Sequence, residues 1–256
     1  MGKFFYHEAL KQGFEVFATS RNPDVHLPYV NPSFKVFFDL EQPRTWLHIP
    51  TPSQIVWCFP ALPKEAASNF TKEITGKESR LLILGSTSAY PPKADGLTNE
   101  EVKLNINLPR VQSEEHLRET YGAILVRLAG IYGPGRNVLN WIRRGKIKNT
   151  DRYVNLIHVK DIAPLCIEAL RQSKPGSTYI VSDGIPRRWS DICKFLSTEW
   201  NIPKPNPTTP EDLGKRLSPQ KILKELNYQL RHQNLYEELS EIERNEGGIL
   251  ESTWVE

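Results

Sequence analysis

Apolar positions along this chain fall into two kinds of block. Some recur every three or four residues, and others run continuously for four to six. Phe4, Phe5, Ala9 and Leu10 recur at near-helical spacing, and Gly13 can close that helix. FEVFATS, residues 14–20, has the β-branched and aromatic content of a strand. Residues 34–38 read as a second strand ending at Asp39, and QIVWCF, 54–59, as a third that is apolar throughout. A helix is predicted over 63–76. RLLILGSTSAY opens with a fourth strand at 80–84, followed by a polar loop and a helix over about 110–121. AILVRLAGIYGPG holds a fifth strand at 123–128. A helix follows at 159–173 and a sixth strand at 177–184.

Strands that alternate with helices, most of them apolar on both faces, predict a parallel sheet covered on both sides, an α/β doubly wound arrangement. Beyond Tyr132 the pattern loosens. Pro203, Pro205, Pro207 and Pro210 mark a loop, and two helical stretches follow it. There is no internal repeat, and the tail from Asn245 to Glu256 reads as weakly ordered.

Composition narrows this only modestly. The chain has 256 residues, 39% hydrophobic and 25% charged, as in an ordinary soluble globule. No apolar run nears the roughly 20 residues that span a bilayer, and no signal pattern opens the chain, so a cytoplasmic protein is expected. Cys58, Cys166 and Cys193 fit no metal or redox spacing. A net charge of +3 gives no case for nucleic acid. The basic run Arg143, Arg144, Lys146, Lys148 reads as a solvated helix end. No metal-ligand motif stands out.

Ligands in such sheets sit at the carboxyl ends of the strands, so the residues after each strand are the ones to read for chemistry. Arg21 follows the strand at 14–20, where the ribose of a bound adenosine would lie. An arginine there can pair bidentately with a 2′-phosphate, which points to NADP over NAD; the alternative is a plain surface arginine. Asp39-Leu40 follows the next strand, and the acid can bond an adenine amine or merely end the strand in a turn. Phe59-Pro60-Ala61-Leu62-Pro63 is a turn that lets a ligand approach the backbone at Ala61. Gly85-Ser86-Thr87-Ser88-Ala89-Tyr90 brings three hydroxyls to a strand end, for a substrate hydroxyl or carbonyl or for local turn bonds. Ile131 lies in the turn-dense crossing that follows the fifth strand.

LILGSTSAY, LVRLAGIYGPGRN and NLIHVKDIA (155–163), in this order, resemble the NAD(P)-dependent epimerase/dehydratase family, the extended short-chain dehydrogenases. KRLSPQKILKELNY (215–228) resembles that family's C-terminal substrate lobe. The resemblance implies a Rossmann-like dinucleotide-binding region over 1–130 and a small substrate lobe over 131–256, with the 177–184 strand returning to the sheet. It also implies a small-molecule substrate such as a nucleotide sugar, and it allows a homodimer. Family members begin with a strand and a glycine-rich loop. Met1-Gly2-Lys3-Phe4-Phe5 resembles the end of that loop, with Gly2 its final glycine, so a strand and further glycines are expected to be encoded upstream. A truncated chain, or a helix with an unrelated Gly2, are the alternatives.

The same resemblance assigns Ser86, with Thr87 as fallback, to substrate binding. A Tyr-x-x-x-Lys pair should then move the proton, because a phenol with a reference pKa near 10 needs a cation beside it to act near neutrality. The stretch LNINLPRVQSEEHLRE departs from that pattern. One frame places Ile106 and Arg110 at the pair, the other Arg110 and Glu114. Arg110 can hold a nicotinamide ribose but cannot exchange a proton at neutral pH. The function implied is a weak or degenerate oxidoreductase or epimerase, or else a non-catalytic binding protein on the same fold. His158 is a substitute base or, the weightier reading, a structural histidine bonded to backbone. Glu100 and Glu101 read as solvated loop acids.

Overall fold

The computed structural model describes residues 1–51, 54–76, 79–92 and 96–246. The first half runs α1 (Gly2–Lys11), β1 (Ala18–Ser20), α2 (Pro23–His26), β2 (Lys35–Phe37), β3 (Gln54–Trp57), α3 (Lys64–Ile74), β4 (Arg80–Ser86), β5 (Leu97–Thr98), α4 (Pro109–Tyr121) and β6 (Ile124–Leu128). The second half runs β7 (Gly130–Tyr132), α5 (Val138–Arg143), β8 (Tyr153–Val154), β9 (Leu156–His158), α6 (Val159–Gln172), β10 (Thr178–Val181), β11 (Arg187–Arg188), α7 (Trp189–Trp200), β12 (Arg216–Leu217), α8 (Gln220–Glu225) and α9 (Leu235–Glu246).

Four parallel strands in the order β10-β6-β4-β3 form the central sheet. Alternation along β4 explains why both faces are covered. Leu81 and Ile83 point into a core with Trp57 and Leu125 of the neighbouring strands, Phe70 of α3 and Leu117 of α4. Leu82 points the other way, into a core with Val126, Ile162, Cys166 and Ala169, where α6 and Phe5 of α1 cover the sheet. All five residues of β6 are buried, as a strand between two helical layers requires. β1 and β2 form a separate parallel pair with Ala18 opposite Lys35, above a small cluster of Tyr6, Leu27 and Val30. A third core, with Tyr132, Leu139, Ile192, Leu196, Leu235 and Leu239, binds α5, α7 and α9 together.

Most predicted elements appear within a few residues of their expected bounds. The strand expected over 14–20 shrinks to Ala18–Ser20, because the turn at Gly13 (φ 81°) still returns Phe14 N–H to the Ala9 carbonyl. Only three residues then find partners on β2. Arg143, in the basic run, forms an ion pair with Glu243 of α9 at 3.0 Å. Glu100 is not a solvated acid: its Oε1 accepts the Ile180 amide of β10 at 2.7 Å. Of the tail expected to be weakly ordered, Asn245 and Glu246 end α9, and 247–256 lie outside the described residues. Among the described residues no helix is long and apolar enough to cross a membrane.

Candidate functional site

β4 carries the chain to Ser86, and a single 3-10 turn, Thr87–Ala89, follows. Ser86 caps this turn: its Oγ accepts the Ser88 amide and lies 3.2 Å from Ser88 Oγ. Arg110, in the first turn of α4, donates from Nη2 to Ser88 Oγ at 3.0 Å. Ser86 and Arg110 are thus brought to one place, bridged by Ser88, which the sequence reading had not assigned. Thr87 is buried beneath them, so Ser86 and Ser88 are the hydroxyls that face outward.

A charged network anchors Arg110 from below. Its Nε lies 3.3 Å from Glu114 Oε1. Glu114 Oε2 is 3.6 Å from Nη2 of Arg127, which itself bonds Glu115 Oε1 at 2.7 Å. Arg118 closes the chain on Glu115 at 2.8 Å. Arg127 sits in the middle of β6 and is 0% exposed. Burial pushes the Glu114 carboxyl upward, and Arg127 and Arg110 pull it back. Gly85 makes this approach possible, since a Cβ there would stand 3.1 Å and 3.2 Å from the Glu114 carboxylate oxygens and 3.3 Å from Arg127 Cγ. A charge in the middle of the apolar run ILVRL was the sequence signal for this network.

No phenol stands beside the serines on α4. Ile106, one frame's tyrosine position, precedes the helix and is 58% exposed. Tyr121, at the far end of the helix, bonds Ser68 Oγ at 2.9 Å. Tyr90 is buried with its ring under the Arg127 guanidinium, 5.8 Å to the centroid. Burial drives its hydroxyl up to about 12, against the pull of Arg127, which disfavours a base role near neutrality. His158 lies at the β9–α6 junction, where its ring meets Tyr132 and His232. Burial and His232 take its pKa down to about 4. Neither of its ring nitrogens has a hydrogen-bond partner, so the expected backbone bond is not made.

The residues expected to hold a dinucleotide are spread over the ends of β1, β2, β3 and β6. Gly2 opens α1, which has no side-chain cap, and a Cβ on Gly2 would meet nothing within 4 Å. Uncapped first-turn amides with open space above them suit a phosphate group. Arg21 is exposed directly after β1. Asp39 is committed elsewhere: its carboxylate accepts the Glu41 amide and Gln42 Nε2, each at 3.0 Å, in a turn of its own. Leu40 packs in the core under α3. Ala61 is buried, with its carbonyl accepting from Ser113 Oγ. Ile131 is half-buried in β7, opposite Ile157. A cavity of about 550 Å³ lies elsewhere, at the start of β10 beside Glu100, Thr178 and Lys221. That is the amino end of the strand, away from where ligands of such sheets bind.

No protein-family profile matches this chain, and no curated relative matches it. Solved structures do match over nearly its whole length. A conserved protein of unknown function from Silicibacter pomeroyi is 21% identical, with 95% of this chain and 94% of that one covered at a TM-score of 0.74. A protein from Methylobacillus flagellatus, described as a candidate NAD-dependent epimerase/dehydratase, is 23% identical over 95% and 94% at 0.76. The dTDP-glucose 4,6-dehydratase of Bacillus anthracis, solved in complex with NAD, is 16% identical over 96% and 94% at 0.75. What this chain shares with them is the fold, the Rossmann-type α/β arrangement found in NAD-dependent epimerases and dehydratases.

Proposed function

We propose that this chain binds a nicotinamide dinucleotide and a hydroxylated or carbonyl-bearing small molecule, such as a nucleotide sugar, as a slow oxidoreductase or epimerase. In this reading residues 1–130 hold the dinucleotide and 131–256 the substrate. The observation that carries it is the Ser86–Ser88–Arg110 group at the carboxyl end of β4, in a fold shared with NAD-bound relatives. The dinucleotide, when bound, supplies hydride transfer at a carbon bearing oxygen. Ser86 and Ser88 offer hydroxyls that can donate to or accept from that oxygen. Arg110 stays charged, so it orients a hydroxyl or a ribose without exchanging protons. Arg21 favours NADPH by pairing with the 2′-phosphate. All three cysteines are free thiols, which supports the cytoplasm as the compartment.

Missing general acid–base chemistry typically removes a factor of about 10²–10⁴ in rate. Among the described residues α4 carries no tyrosine–lysine pair beside the serines, which supports a second reading, a binding protein that has given up turnover. One experiment separates them: calorimetric titration of NADPH and NADH, with turnover assays on a panel of nucleotide sugars. Tighter NADPH binding that is lost in Arg21→Ala is expected, with slow turnover. Substrate affinity should fall about tenfold or more in Arg110→Ala, which loses a hydrogen bond from a charged group, and by about two- to tenfold in Ser86→Ala, which loses a neutral one. Binding without turnover selects the second reading. Equal cofactor affinities, or fast turnover indifferent to Ser86 and Arg110, would sink the assignment.

A further inference from the structure

We propose that His158, His232 and Glu238 bind a divalent transition-metal ion of the zinc class, fastening α9 to the β9–α6 junction. Each residue offers one ligand atom, and the three atoms lie within 4.8 Å of one another. Ligands around a tetrahedral zinc, bonded at about 2.0–2.1 Å, stand roughly 3.3 Å apart. The set therefore has to close by up to about 1.5 Å, within reach of side-chain rotation.

Three observations point to a ligand. His158 is 1% exposed, and both its ring nitrogens lack a hydrogen-bond partner. Its Nε2 stands 3.8 Å from Glu238 Oε2, too far for a hydrogen bond but suited to an ion shared between them. His232 is already oriented as a ligand. Its Nδ1 lies 2.9 Å from Asp161 Oδ1, and Asp161 also accepts the backbone amides of Arg231 and His232. A carboxylate on one ring nitrogen fixes the tautomer and leaves the lone pair on the other, the usual outer support of a metal-binding histidine. The two rings stack 4.4 Å apart, so their nitrogens share one space.

The surroundings leave room beside His158 and Glu238. Gly133 has φ 134°, and a Cβ there would stand 2.9 Å from His158 Nε2. A cavity of about 40 Å³ lies against His158, Glu238, Glu241 and Pro134. That is close to the roughly 30 Å³ share of one water molecule in the liquid. Lys160 also lines it and opposes a cation, but it is exposed and its long side chain can turn outward. Two imidazoles and a carboxylate suit zinc and its neighbours, with a fourth position left for water or Glu241. Sequence reading misses the set because His158 and His232 fit no ligand spacing and meet only through the fold.

The test uses the full untagged chain, stripped with chelator and titrated with Zn²⁺ by calorimetry and with Co²⁺ by visible absorption. One ion per chain is expected, with the strong visible bands of tetrahedral cobalt and a rise in thermal midpoint. His232→Ala and Glu238→Gln should each weaken Zn²⁺ at least a hundredfold while the metal-free proteins keep the wild-type circular dichroism. No saturable binding by the wild type overturns the proposal. So does binding that both variants retain at wild-type affinity, which would place the ion elsewhere, for example at Cys58.

Discussion

Two places in this molecule gather polar groups beneath packed helices, and they solve the problem of burial differently. Under α4, Arg127 is enclosed with two carboxylates, and those are shared with Arg110 and Arg118, so every charge has a counterpart within 3.6 Å. At the β9–α6 junction, His158 is as deeply enclosed but has no hydrogen-bonded partner, while beside it Asp161 accepts the Arg231 and His232 amides and pairs with His232 Nδ1. The first arrangement pairs each charge with an opposite one inside the chain, although Glu114 Oε2 and Arg127 Nε and Nη1 have no hydrogen-bond partner, and it lies under the Ser86–Ser88–Arg110 group. The second is complete only when something else enters. Both places hold buried polar atoms without hydrogen-bond partners, so burial alone does not mark a working site; what distinguishes the two is that the charges under α4 have close counter-charges in the chain, whereas His158 has its nearest carboxylate, Glu238, at 3.8 Å.

Breaking the first arrangement should have the largest effect. Arg127→Met leaves Glu114 and Glu115 facing each other without their shared cation, and removing one partner of a buried ion pair costs about 3–5 kcal/mol. Urea unfolding monitored by circular dichroism measures it. A loss under 1 kcal/mol would mean that water reaches the network and that the contrast drawn here is false. Asp161→Asn probes the second arrangement in metal-free protein. The neutral amide keeps one acceptor for three donors, and about 1–3 kcal/mol should be lost in the same measurement. An unchanged midpoint would show that the 231–232 backbone is held by other contacts.

The smallest effect concerns a cation that neither arrangement neutralises. Lys215 donates from Nζ to the Tyr90 carbonyl. Burial, with Arg152 nearby, pulls its pKa down to about 8, against Asp212. An unfolded lysine titrates near 10.4. Between those values the unfolded chain binds more protons than the folded one, so stability attributable to Lys215 rises as pH climbs from about 8 to 10. The wild type should therefore gain thermal midpoint over that window relative to Lys215→Met. Parallel midpoint curves for the two proteins would rule this out.

Much of the scaffold was legible because burial writes itself into periodicity. The runs at 80–84 and 123–128 read directly as strands, and the helix expected over about 110–121 matches α4. The second half was harder to read, although α7 buries Ile192, Cys193 and Leu196 at helical spacing. Its helices are separated by short two-residue strands such as β8 and β11, which carry no period of their own. Asp39 could be read either as a ligand or as a turn residue from its position alone. Its bonds to Glu41 and Gln42 give it the turn role, which depends on the direction of the chain after β2. Ser88 was legible only as one of three hydroxyls at a strand end, and Glu114 only as one frame's place in the catalytic pair, since their actual contacts come from α4 lying across the end of β4. Asp161 and His232 lie 71 positions apart, and no local pattern links them.

The outer border of β10 has a further consequence. A strand at the margin of a sheet exposes amides and carbonyls that a second chain can zip onto. Here Lys221 Nζ donates to the Thr178 carbonyl at 2.9 Å, while Glu100 takes the Ile180 amide at 2.7 Å. A positive and a negative side chain thus occupy alternate backbone groups along a four-residue strand. An incoming strand would have to displace both charges into less polar surroundings before gaining any ladder bond. The molecule is thereby guarded against edge-to-edge aggregation by two side chains that a search for catalytic groups would pass over.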